Sequence, residues 1–399
     1  MYPTSVFPSN DVLPALRGLV EITWNGTSDM GKRQSDARFG GWTMVAALLC
    51  ASIASRALAS GLPVTASGPA NQACEQCPAA RQGIDLLMNG DPDSAIEIFK
   101  QIQAQEPDSP LGYLAAADAL WWKIYLTTAD LIDPDVFDVV YSKTSPYDAP
   151  FEEMVNTAIR KGAEQIRAGH AVARNRLYAG MAYALRARYY GLRDQDLATA
   201  RAAKRMRALL LLASRDDPTL VDANAGLGLY NYFVDTLPTI IKMLKFFVGL
   251  PGGSRDLGLQ QLQNAAANGD LVRGEAKFYL AKDFSRASER QYAASLLLFQ
   301  ELSKEYPRNL LWKLLIGSLE ARLGNAGEAE ADYREVLEES AGKSSEIQQA
   351  LHREAEKALQ RLHPEGKAAS VARRVSYQQS AFSLQLSAGA YRSWFLAES

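Results

Sequence analysis

The sequence predicts an all-α protein, a right-handed solenoid of stacked helical hairpins interrupted by two insertions. Three observations carry that expectation. From residue 80 onward, apolar residues recur at three- and four-residue steps, the spacing of helices with one buried face. Alternating apolar and polar runs, the mark of half-buried strands, are scarce. Small residues, aromatics and prolines also recur in fixed order, with Ser295 and Ala329 at equivalent places one 34-residue stride apart.

The repeat is clearest in two copies. Gly83 is followed by Ala95, Phe99 and Ile102, and Gly317 by Ala329, Tyr333 and Val336, at the same offsets. Pro107 closes the first copy. A third reads Ser295, Phe299, Leu302 and Pro307, and a fourth is split between Leu227-Gly228 and Gly258, Leu262 and Ala265. Small side chains let two helices approach closely, and the residue four places on covers the next turn of the same face. Proline ends the second helix because it cannot continue one. Asn89-Gly90-Asp91-Pro92 and Gly324-Asn325-Ala326-Gly327 supply turns between helices.

These residues resemble the tetratricopeptide repeat. A longer stretch sharpens the likeness: Gly226-Leu227-Gly228-Leu229-Tyr230, Leu237-Pro238, Phe247-Val248-Gly249-Leu250-Pro251-Gly252, then Gly258-Leu259 and Leu262. It resembles the eukaryotic tetratricopeptide family that includes the outer mitochondrial membrane and inclusion-body-clearance proteins. That resemblance implies a helical scaffold that acts through protein contacts rather than catalysis.

The beginning of the chain reads as an export signal. Residues 42–55 are uncharged and mostly apolar, Lys32, Arg33 and Arg38 precede them, and Ala57-Leu58-Ala59 follows as a cleavage pattern. The run is shorter than the ~20 residues of a membrane span. The expected layout is an upstream extension at 1–29, a signal peptide at 30–59, a linker at 60–79, the repeat domain at 80–364 and a weakly ordered tail at 365–399. Export to the periplasm or cell envelope favours a disulfide between Cys74 and Cys77, the only cysteines after the cleavage site.

Two segments break the helical pattern. Residues 127–150 contain Pro134, Pro146 and Pro150, and residues 235–257 hold the second insertion. Between them, 152–168, 171–190 and 195–214 read as three longer helices. Within the second insertion, 238–250 is apolar except for Lys242 and Lys245. It either covers a gap in the array or lies on a membrane surface.

The expected function is non-catalytic binding of a protein or peptide in the envelope. The alternative is a protein held at a bilayer by 238–250 or by an uncleaved N-terminal anchor. Residues 167–207 hold nine Arg and Lys204 against Asp194 and Asp196. On one helix face, Arg174, Tyr178, Met181 and Arg188 form a candidate partner site, because two guanidinium groups beside an aromatic can clamp a carboxylate. The aromatics Tyr113, Trp121, Trp122 and Tyr125 read as core. Formal charge is −2, which argues against a nucleic-acid partner. His170, His352 and His363 are not spaced for metal binding, and no phosphate loop or nucleophile motif is present. No metal, cofactor or catalytic residue is expected.

Overall fold

A computed structural model describes residues 77–132, 144–236 and 249–363. The signal peptide, Cys74, residues 133–143 of the first insertion, 237–248 of the second and the tail from 365 lie outside the described residues. Among the described residues the chain is entirely helical, with no strand. The helices are α1 (Cys77–Met88), α2 (Pro92–Gln105), α3 (Leu111–Thr128), α4 (Asp148–Arg167), α5 (Val172–Leu192), α6 (Asp196–Asp216) and α7 (Ala223–Thr236). They continue as α8 (Arg255–Asn268), α9 (Arg273–Phe284), α10 (Tyr292–Glu305), α11 (Leu310–Leu323), α12 (Ala326–Ser340) and α13 (Glu346–Leu362). The first helix begins at Cys77, inside the stretch expected as linker.

Local sequence explains the ends. Asp91 accepts a hydrogen bond from the Ser94 amide at 3.1 Å and Pro92 opens α2, so a cap and a preset backbone angle start that helix together. Asn309 does the same for α11 by accepting from the Leu311 amide at 3.1 Å. Helices α2 and α10 both stop two residues before their proline, at Gln105 and Glu305, as the missing N–H of Pro107 and Pro307 requires.

Each helix packs on the next, and the odd-numbered helices also touch one another: α1 with α3, α3 with α5, α5 with α7, and α11 with α13. The small residues of the motif sit at these crossings. A Cβ on Gly228 would meet Leu262 Cγ at 2.8 Å and the Gly258 carbonyl oxygen at 2.9 Å. The crossing of α5 and α6 uses the same device at Gly180, which lies under Leu210. No aromatic marks that site, so the motif does not reveal it.

Helix α3 occupies the centre. Its sequence is apolar around the whole circumference, and 14 of its 18 residues are buried. Such a helix is stable only when enclosed on every side. The Trp122 ring lies 5.0 Å from Phe278 in α9 and 6.4 Å from Trp312 in α11, while Trp121 Nε1 donates to the Tyr279 hydroxyl at 3.3 Å. The last helix, α13, also packs against α3. At the other end, Asn309 Nδ2 donates to the Met88 carbonyl at 2.9 Å, joining the α10–α11 turn to α1. The main apolar cluster therefore runs from Ala80 to Ala358, and a smaller one joins Ala225, Ala265, Ala266, Val272 and Ala276. Between α3, α9 and α11 the space is filled by aromatic side chains.

Candidate functional site

The four residues proposed for partner binding lie on α5, and the structure separates their roles. Tyr178 is buried, with its hydroxyl 3.8 Å from Cys77 Sγ. Burial pushes its phenol well above the usual range, against the opposing effect of nearby Arg174. Arg174 is half-buried. Met181 packs against both apolar clusters and lines an interior pocket. The Arg188 side chain is only 11% exposed and donates from Nη1 to Glu275 Oε1 at 2.5 Å. Its guanidinium also lies 4.5 Å from the centre of the Tyr279 ring.

Arg188 is thus held inside by Glu275 and does not stand open as half of a clamp. Its carboxylate is supplied by α9, 87 residues further along the chain, where local spacing gives no warning of it. Burial works against the charge on Arg188, but Glu275, Tyr279 and Asp118 outweigh it and hold the group more strongly charged than usual.

The interior pocket has a volume of about 40 Å3 and collects ionisable groups from four places. Asp118 comes from α3, Arg188 from α5, Asp222 from the turn before α7, and Glu275 from α9. Asp222 accepts the backbone amides of Asp270 at 2.6 Å and Leu271 at 3.0 Å, fastening the α8–α9 turn to the start of α7. Asp118 has no such support. Its Oδ1 has no hydrogen-bond partner among the described residues. Burial and the neighbouring Glu275 raise its proton affinity well above that of an ordinary carboxyl, with Arg188 opposing them. The sequence offered no signal for this convergence.

A second feature lies outside. Helices α8 and α10 flank α9 and line, with it, a cleft of about 780 Å3. Leu280 and Phe284 of α9 form its floor, with Ala267 on one wall and Leu297 on the other. Leu297 is 62% exposed, more than any other large apolar side chain described. At one end Arg273 and Lys277 pair with Glu305.

The repeat residues are structural. Ala95, Phe99, Phe299, Ala329 and Tyr333 are all buried, and Gly83 and Gly317 sit beneath Phe99 and Tyr333. Cys77 is disulfide-bonded. Among the described residues no three His, Cys, Asp or Glu side chains are grouped to hold a metal ion, and no helix is long and apolar enough to cross a membrane. No protein-family model matches the chain, and no curated protein matches it significantly.

Proposed function

We propose that this chain is a non-catalytic, tetratricopeptide-like solenoid that binds a protein or peptide partner in the bacterial cell envelope, and that the partner docks in the cleft over α9. The cleft carries this reading. A leucine at 62% exposure beside an apolar floor is a costly surface to leave in water. Its width, set by two helices that flank a third, suits an amphipathic helix laid along the floor.

A photo-crosslinking residue at position 297 tests this. It should give a discrete adduct in envelope fractions, and Ala267→Arg, which fills the cleft from the opposite wall, should abolish it. An adduct that survives Ala267→Arg overturns the cleft assignment, and so does the absence of any adduct.

The membrane reading has one observation in its favour. On α6, Arg201 and Arg205 are exposed without an acidic partner among the described residues, between Leu197 at 51% and Leu211 at 41% exposure. A basic, leucine-flanked face attracts anionic headgroups. Flotation with anionic vesicles, lost on Arg201→Glu with Arg205→Glu, is the result that favours it.

A further inference from the structure

We propose that the interior pocket is a binding site for a small protonated amine, with Asp118 as its counter-ion. The charges lining the pocket do not balance: Asp118, Asp222 and Glu275 face a single guanidinium, that of Arg188. Two of the three carboxylates are accounted for, Asp222 by two backbone amides and Glu275 by Arg188. Asp118 is left with a buried, unpartnered Oδ1, an arrangement that is costly unless a cation or a proton supplies the missing charge. The remaining wall is hydrocarbon, with Ile84, Leu111, Leu114 and Leu185 prominent, which suits the alkyl part of an alkylammonium ion and not a hydrated metal ion. The volume of about 40 Å3 is that of a few water molecules at roughly 10–15 Å3 each, so the ligand, or the part that enters, is very small.

An amine and a proton compete for Asp118. The carboxyl faces Arg188 from α5, Glu275 and Tyr279 from α9, and Asp222 from the turn before α7. Among these only the cation Arg188 favours ionisation, and Glu275 already holds it. Binding an ammonium group therefore expels the proton that the empty pocket retains, and the apparent affinity rises with pH.

The probe is methylammonium chloride, titrated calorimetrically into the whole protein against potassium chloride at equal ionic strength. A ligand of two heavy atoms binds no more tightly than about 5 mM, so the expected signal is a saturable heat in the millimolar range. It should strengthen as the pH rises through the range in which Asp118 loses its proton. Asp118→Asn keeps the shape and removes the charge, and should weaken binding at least about tenfold. Three results overturn the proposal: no saturable heat beyond that of potassium, equal affinity in Asp118→Asn, or an affinity in the unsubstituted protein that does not rise with pH. The last needs no variant, so it holds even if the substitution perturbs folding.

Discussion

Gly83 of α1 lies beneath the edge of the Phe99 ring of α2, so close that a Cβ at position 83 would stand 2.2 Å from Cε1. Gly317 and Tyr333 repeat the relationship at 2.8 Å in α11 and α12. Helix propensity favours alanine over glycine by about 1 kcal/mol, but here the added methyl group must displace a fully buried ring. Gly83→Ala is therefore expected to destabilise the protein by about 2–3 kcal/mol net. Gly317→Trp, with no room at all, should lose the packing of α11 on α12. Urea unfolding midpoints equal to that of the parent chain would show that these crossings are not tight.

Gly324 makes the opposite case. It ends α11 with φ +90°, and a Cβ there would meet nothing within 4 Å. Gly324→Ala should still cost about 1 kcal/mol, because only the backbone conformation penalises a side chain. Thermal unfolding of Gly324→Ala and Gly83→Ala separates the two causes by size.

The pair Arg188–Glu275 is enclosed, with side-chain exposures of 11% and 12%. Removing the arginine leaves Glu275 and Asp118 facing each other without their cation. Arg188→Met is expected to cost about 3–5 kcal/mol, whereas Arg188→Met with Glu275→Leu should recover much of that loss. A double-mutant cycle in urea measures it, and a cycle that closes on zero coupling would make the pair irrelevant to stability.

Asp332 on α12 gives a pH dependence. Burial, opposed by Lys313, raises its carboxyl from 3.8 to about 6. The folded protein thus holds this proton more tightly than the unfolded chain does. The contribution of Asp332 is most favourable below the unfolded value and is lost as pH rises through about 6. Asp332→Asn should accordingly raise the melting temperature at pH 7.5 and change it little at pH 3.5. An equal effect at both values would place the burial cost elsewhere.

Much of the architecture was legible because close helix crossings demand small residues at set intervals. Gly83, Ala95 and Phe99 announced the first hairpin, and Pro107 and Pro307 fixed two helix ends to within two residues. Of the α3 aromatics read as core, Trp121, Trp122 and Tyr125 are buried, while Tyr113 is half-buried at the rim. The crossing of α5 and α6 escaped notice because Leu210 takes the place of an aromatic. The pocket was hidden for a different reason. Asp118, Arg188, Asp222 and Glu275 come from four segments, and only the closure of the array brings them together. Arg188 was read as part of a partner-binding face, whereas its charge answers Glu275 in another helix.

The packing of α13 on α3 has a last consequence. An open stack of hairpins can gain or lose a unit in evolution and keep the others intact, since each touches only its neighbours. Here α13 packs on α3 and the α10–α11 turn bonds to α1, so late helices lean on early ones and a hairpin between them could not be removed without disturbing both. The described helices should therefore melt as one cooperative body instead of fraying from either side.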